Sequence, residues 1–308
     1  MPERLKTGVV GAGVFGGHHA RKQKGSPRVD FVGVFDPDSA RAAALACELE
    51  THAFPTLDAL LAAVDAVTVA APAAAHYRLA AAALGAGRHV YVEKPIALDL
   101  GDADALIAAA SANGLVLQVG HQERFVLAAM GLPRGDRQPL SLAFERSGPA
   151  TGRGEDVAVA LDLMIHDLDI ARLFGFESPE TVSACGSYDE TVTTLTFAGG
   201  RRASFIASRR ASARARRMTA VYDDGEIEID FLNRTIANGT AASLAANDFA
   251  AGPAALSDPL GASVEAFVAA ILDGGRAIVD GRVGRGALDW ALRVEDARQA
   301  LGTARKRA

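Results

Sequence analysis

The 308-residue chain is 49% hydrophobic, carries a net charge of -5 and holds only two cysteines, Cys47 and Cys185. That length and apolar content suffice for two domains with buried cores, whereas the acidic balance offers no general attraction to nucleic acid or an anionic membrane, and no apolar run is long enough to span a bilayer. The two distant cysteines form no metal-ligand spacing and suit a reducing compartment; Met1-Pro2-Glu3-Arg4 leads straight into Gly8-Val9-Val10 with no signal-peptide core, so a cytoplasmic protein is expected.

In chain order, an apolar strand over Leu5 to Val10 delivers into Gly11-Ala12-Gly13-Val14-Phe15-Gly16, and a helix is predicted from Gly17 to Gln23. This is Gly-x-Gly-x-x-Gly between a strand and a helix. The first glycine permits the tight turn, the second lets backbone approach a pyrophosphate, and the third lets the helix pack closely. His18 and His19 open that helix and read as an exposed pair, near enough to the turn to approach a cofactor or substrate. The next strand, Val29 to Phe35, ends at Asp36, twenty residues after Gly16, where a carboxylate can accept from the adenosine ribose hydroxyls. An acid there repels a 2'-phosphate, and the nearest arginine is Arg41, so the cofactor expected is NAD rather than NADP.

Helix Leu57 to Ala63, strand Ala66 to Ala71, helix His76 to Leu84, strand His89 to Val92, helix Gly101 to Ser111 and strand Leu115 to Val119 continue the alternation. Apolar strands separated by helices predict a parallel sheet covered on both faces, with ligands bound beyond the strands' carboxyl ends. Those ends lead to Ala71-Pro72, Glu93-Lys94-Pro95 and Gly120-His121. Of 32 basic residues only Lys6, Lys22, Lys24, Lys94 and Lys306 are lysine, so Lys94 at the mouth of the crevice is an exception in an arginine-using chain. A lysine there can hydrogen-bond a reacting oxygen and titrate when desolvated; arginine would stay charged.

From Pro139 the rhythm changes. A strand over Leu140 to Arg146 precedes a helix over Val157 to Gly175, which is apolar almost all round yet repeats Asp162, His166 and Asp169 at i, i+4 and i+7. Ionisable groups on such a helix either pair inside the core or face a cleft, and spacing alone does not choose between them. Strands follow at Thr181 to Gly186, Thr191 to Phe197 and Arg202 to Ala207, the last two joined by Ala198-Gly199-Gly200. A hairpin of Arg217 to Tyr222 and Glu226 to Phe231 turns at Asp223-Asp224-Gly225, a long loop spans Ala241 to Pro259, and helices over Ser263 to Leu272 and Gly286 to Leu301 end the chain. The prediction is an α/β protein: a Rossmann domain over residues 1–122, then an α/β domain over 123–308 with an open, mostly antiparallel or mixed sheet. Arg209, Arg210, Arg214, Arg216 and Arg217 form a basic run that could clamp a diphosphate or be a solvated loop, and Arg153 is open to the same two readings.

Ala70-Ala71-Pro72 with His76, the run from Ala83 to Pro95 ending Tyr-Val-Glu-Lys-Pro, and Asp162-x-x-x-His166 together resemble the Gfo/Idh/MocA oxidoreductases, relatives of glucose-fructose oxidoreductase and inositol dehydrogenase. Gly120-His121-x-x-Arg124-Phe125 and the segment Leu161 to Asp169 look most like a branch that includes UDP-N-acetylglucosamine 3-dehydrogenases, with one departure: relatives continue Arg-Phe-Asn-Pro where this chain has Val126-Leu127. The resemblance implies a sugar or nucleotide-sugar substrate and a homodimer or homotetramer built on the open sheet. It also implies that Lys94, Asp162 and His166 contact the reacting hydroxyl. Candidate cofactor contacts are Gly11, Gly13, Val14, Phe15, Gly16, Asp36, Ala71, Pro72, His76, Glu93, Lys94 and His121. An imidazole, with an ordinary pKa of about 6.5, suits a general base near neutrality, and the sequence leaves open whether His166 or Lys94 plays that part. Alternatives are an inositol or simple aldose dehydrogenase and a non-catalytic dinucleotide-dependent sensor.

Overall fold

In the computed structural model, which describes residues 4–133, 135, 137–152 and 154–307, the chain forms two units. One comprises Met1–Gln122 with Leu260–Arg285, the other Glu123–Pro259 with Gly286–Ala308.

The first unit is a six-stranded sheet of order β3-β2-β1-β4-β5-β6, parallel throughout: β1 (Leu5–Val10), β2 (Val29–Phe35), β3 (His52–Ala53), β4 (Ala66–Val69), β5 (His89–Val92) and β6 (Leu117–Val119). Val9, Val34, Val69, Val90 and Val92 are fully buried, as strands covered on both faces must be. The intervening helices are α1 (Val14–Gly25), α2 (Ser39–Glu48), α3 (Leu57–Ala63), α4 (His76–Gly85) and α5 (Leu100–Ala112). Asp38, Thr56 and Asp99 accept backbone N–H groups at the starts of α2, α3 and α5, which sets where those helices begin. Strand order reverses between β1 and β4, so the loops after these two strands flank the switch point.

The domain boundary expected from sequence leaves residues 260–285 with the C-terminal half; they pack instead on the first unit. Helix α9 (Pro259–Leu272) buries Phe267 and Val268 in the same core as Leu5, Val9 and Val34. The Tyr91 hydroxyl lies 3.0 Å from that of Ser263, and Gln118 donates to the Ser263 carbonyl at 2.8 Å.

The second unit is a seven-stranded sheet of order β13-β12-β11-β7-β10-β9-β8. Its strands are β7 (Ser141–Pro149), β8 (Thr181–Gly186), β9 (Glu190–Thr196), β10 (Arg202–Ser208), β11 (Arg210–Tyr222), β12 (Gly225–Asp230) and β13 (Thr235–Asn238). Only β7 and β10 pair in parallel, which makes the sheet mixed. Alternation is clean: Phe144 and Phe205 stack on the buried face, and Val192 and Ile206, paired in register, are 44% and 45% exposed on the other. Helices α6 (Glu123–Ala129), α7 (Ile165–Leu173), α8 (Ala254–Ser257) and the length of α10 (Gly281–Arg307) beyond residue 285 complete this unit.

Three segments differ from expectation. The helix predicted over 157–175 is a π-helical turn, Ala160–Met164, running into α7. The basic run lies largely in a strand, β11, because that strand extends back through a bulge before Ala215. The loop expected over 241–259 contains α8, a single turn whose Leu256 is buried. None of the described helices is long and apolar enough to cross a membrane.

Candidate active site

The glycine turn is constrained at two of its three glycines by the chain itself. Gly11 has φ +101°, and a Cβ there would lie 2.5 Å from the Ala70 carbonyl oxygen. A Cβ on Gly16 would lie 1.7 Å from the Gly11 oxygen. Gly13 is different: a Cβ there meets no protein atom within 4 Å. It is the N-cap of α1, which has no side-chain cap and no acid in its first turn. This open cradle ahead of an uncapped helix N-terminus fits a pyrophosphate. Val14 and Phe15, also on that turn, are exposed.

At the end of β2, Asp36 is buried and accepts from the Ala12 amide at 2.7 Å, the Asp38 amide at 2.8 Å and the Arg41 guanidinium at 3.0 Å. Burial pushes this carboxyl up, but those donors outweigh it and hold the group below its ordinary value. A carboxylate offers about four lone-pair sites, so capacity remains for a ribose hydroxyl. A cleft of about 390 Å³ beside the turn is lined by Ala12, Gly13, Val14, Arg21, Arg41 and Glu48, among others. The first unit therefore fits a dinucleotide with its adenosine end at Asp36.

The loops after β4 and β5 are stitched together by His76. Its Nδ1 lies 2.6 Å from the Pro95 carbonyl and its Nε2 2.8 Å from that of Ala71, beside the exposed Pro72. Burial pushes this imidazole down, while the two carbonyls favour its protonated form. Sequence lists His76 as a cofactor contact; both ring nitrogens are turned to the chain's own backbone. Glu93, also buried, accepts from His19 Nε2 at 2.7 Å and Gln122 Nε2 at 3.1 Å. Burial raises it, and the His19 hydrogen bond together with the nearby Lys94 charge brings it below the ordinary value. Gly120 makes room for it, since a Cβ there would lie 2.7 Å from the Glu93 carboxylate. Lys94, next in the chain, is half-buried, and His121 is buried. The reading of His18 and His19 as an exposed pair is corrected. His18 is exposed, but His19 is fully buried, on the side of α1 that also buries Gly16, Ala20 and Gln23. That phase was the available signal.

In the second unit the ionisable stripe separates. Asp169 is 1% exposed and takes both Arg124 Nε and Nη2 at 2.7 Å, a bidentate pair inside the core. Asp162 and His166 are half-buried instead. The Asp162 carboxylate sits against Gly154, where a Cβ would lie 2.4 Å away and where φ is +68°. His166 Nδ1 lies 2.9 Å from Glu123 Oε2. Behind it, Arg146 Nη1 donates to Glu123 Oε1 at 3.0 Å, and Arg146 Nη2 donates to Asp167 Oδ1 at 2.7 Å. Burial pushes Glu123 up, yet His166 and Arg146 hold it well below the carboxylate range, whereas burial wins at Asp167 and raises it. Sequence reading missed Glu123, Arg146 and Asp167 as a group. The basic run also divides: buried Arg209 donates to the carbonyls of Gly154 and Val157, and Arg217 pairs with Asp230. Arg153 lies outside the described residues.

Residues 5–121 match the oxidoreductase family with an NAD-binding Rossmann fold. The UDP-N-acetylglucosamine 3-dehydrogenase of Acidithiobacillus ferrooxidans is 38% identical over 309 residues, covering 96% of this chain and 98% of that protein. Its solved structure superposes with a TM-score of 0.86 over 96% of this chain and 98% of its own. The inositol 2-dehydrogenase of Rhizobium meliloti is 29% identical over 68% of this chain and 70% of its own length. The departure at Val126 and Leu127 falls on buried positions of α6.

Proposed function

This chain belongs to the Gfo/Idh/MocA family of NAD-dependent oxidoreductases, and from that premise we propose that it oxidises, reversibly, a secondary hydroxyl of a nucleotide sugar, the 3-hydroxyl of UDP-N-acetylglucosamine or a close analogue. The observation that carries the substrate reading is 38% identity to a UDP-N-acetylglucosamine 3-dehydrogenase over nearly the whole of both chains. NAD supplies the hydride acceptor, held through the Gly11 to Gly16 turn and Asp36. His166 takes the proton of the reacting hydroxyl as general base. Lys94 hydrogen-bonds the same oxygen and stabilises charge as it develops, and Asp162 orients the substrate. Support for His166 over Lys94 as base comes from the carboxylate of Glu123 on its Nδ1.

Inositol 2-dehydrogenases among the relatives support a second reading, oxidation of a free polyol or aldose. A panel of UDP-linked sugars, free aldoses and inositols, assayed by NADH and NADPH formation in parallel, separates the two. Turnover of UDP-N-acetylglucosamine with NAD is expected; turnover confined to free polyols would replace the substrate reading, and none with any member would favour a dinucleotide-dependent sensor. We assign self-association to the exposed sheet face bearing Val192 and Ile206, and an Ile206→Lys variant sedimenting as the wild type would remove that assignment.

A further inference from the structure

We propose that Glu123 is the positioning residue of this chemistry: its carboxylate holds the His166 ring with the proton on Nδ1 and the lone pair on Nε2, and stabilises the imidazolium formed when Nε2 accepts a proton. The proposal rests on the reading of His166 as base.

Geometry makes the first part of the argument. Glu123 and Arg124, adjacent at the start of α6, each hold one residue of α7: Glu123 takes His166 and Arg124 takes Asp169. These residues are three apart on α7, so the two contacts together fix the rotation of that helix as well as its distance from α6. A carboxylate accepts and cannot donate when ionised, so its contact with Nδ1 selects one of the two neutral tautomers.

Charge makes the second part. Glu123, Arg146 and Asp167 meet across α6, β7 and α7, and the exposed Arg216 of β11 lies alongside, in register with Arg146. Arg146 and Arg216 are directly paired across β7 and β11, an arrangement that repels unless acids intervene. Asp167 occupies the Nε and Nη2 edge of Arg146, and Glu123 takes Nη1. Two cations and two carboxylates sum to zero while His166 is neutral, and the cluster becomes positive by one when His166 accepts a proton. The carboxylate in contact with the ring is where that added charge is offset. Glu123 is also an acid in the first turn of α6, a place that favours it at any surface helix; that role calls for neither its burial nor its aim at His166.

The test uses the full chain. Imidazole nitrogen shifts of His166, assigned by loss of the signal in His166→Ala, report tautomer and titration directly without a substrate. In the wild type above the His166 titration, the proton is expected on Nδ1; a ring protonated on Nε2 would overturn the proposal whatever the variants do. In Glu123→Gln, which keeps the shape, the His166 titration is expected to fall by about one unit or more. The acid limb of the kcat profile should move with it, and kcat at neutral pH should drop roughly ten- to a hundred-fold. A merely structural Glu123 would lower Tm and leave the titration within about 0.2 unit of wild type, which also overturns the proposal. Undiminished turnover in His166→Ala would instead remove the base assignment, whereas the nitrogen shifts still decide whether Glu123 sets the ring.

Discussion

The three glycines of the dinucleotide turn make separable demands, and two single-methyl variants expose the difference. In Gly16→Ala the added Cβ starts 1.7 Å from the Gly11 oxygen, and reaching even 3.0 Å requires backbone to move by about 1.3 Å. Helix propensity favours alanine by about 1 kcal/mol, but overpacking against immobile backbone costs about 3 kcal/mol or more, so the clash wins. At roughly 2–4 °C per kcal/mol for a unit of this size, the melting temperature without cofactor should fall by several degrees. In Gly13→Ala the Cβ meets nothing within 4 Å and the backbone, at φ -73° and ψ -171°, is open to any residue. Alanine is a poorer N-cap by roughly 0.5–1 kcal/mol, and the stiffer unfolded chain returns about 0.4–1 kcal/mol, so Tm without NAD should hardly move. NAD binding is what should suffer, because the methyl occupies the cradle ahead of α1. A cost of about 1–3 kcal/mol raises Kd roughly 5- to 150-fold. Thermal melts without cofactor and calorimetric titration with NAD read both quantities. Equal losses of Tm in the two variants, or a wild-type Kd in Gly13→Ala, would refute the division between glycines required by the fold and the one required by the ligand.

Lys94→Arg keeps the charge but changes reach and forbids titration; turnover with the best sugar of the panel should fall at least about tenfold, and near-normal steady-state rates would end the role given to Lys94. Asp169→Ala leaves the Arg124 guanidinium without its carboxylate in a largely buried site, a loss of about 3–5 kcal/mol, whereas the double variant Arg124→Met, Asp169→Leu should recover most of it; urea unfolding of both checks this. Acid should destabilise the protein through Asp36, Glu93 and Glu123, all held below their ordinary values. A carboxyl lowered in the folded state contributes fully above its unfolded value, about 4, and loses that contribution as pH falls through the folded value; Asp167, which is raised, works in the opposite sense. The urea midpoint should therefore drop between about pH 5 and 3, less steeply in Glu123→Gln, and a flat wild-type midpoint over that range would contradict the assignment.

Local periodicity carried the parts of the fold that the sequence made legible. The apolar strands and the glycine turn between β1 and α1 announce the parallel sheet, and the rarity of lysine isolates Lys94. Segments of low contrast were harder: α2 is alanine-rich, β3 is two residues long and β13 is four. The packing of α9 on the first core joins residues as far apart as Tyr91 and Ser263, with no composition shift to mark it. His19 was within reach through the phase of α1, since Gly16, Ala20 and Gln23 share its buried side. Glu123, Arg146 and Asp167 were not, because ion-pair partners on three different elements leave no spacing in a sequence. The basic run misled for a related reason: five arginines in nine residues look alike until the bend between β10 and β11 turns Arg209 inward and β11 sets Arg217 against Asp230.

The stripe Asp162, His166 and Asp169 shows how one local distortion turns a repeat into a division of labour. In an ideal α-helix, at about 100° per residue, His166 would lie some 40° to one side of Asp162 and Asp169 some 20° to the other, so all three would share a face. The π-helical turn Ala160–Met164 advances less per residue. Its steps between Asp162 and Ile165 rotate everything later in the helix backward relative to Asp162. His166 is thereby carried toward the line of Asp162, and Asp169 is carried further from it. The burial pattern agrees: Asp162 and His166 are half-buried together, and Asp169 is sealed against Arg124. His166 and Asp169 both follow the turn, three apart on α7, so their mutual spacing is that of any α-helix, and what the wide turn changes is which of the two lines up with Asp162. The wide turn thus aligns the proposed base with Asp162 and leaves Asp169 to Arg124, and because it lies between Asp162 and His166 its rotation acts directly on the pair proposed to meet the substrate.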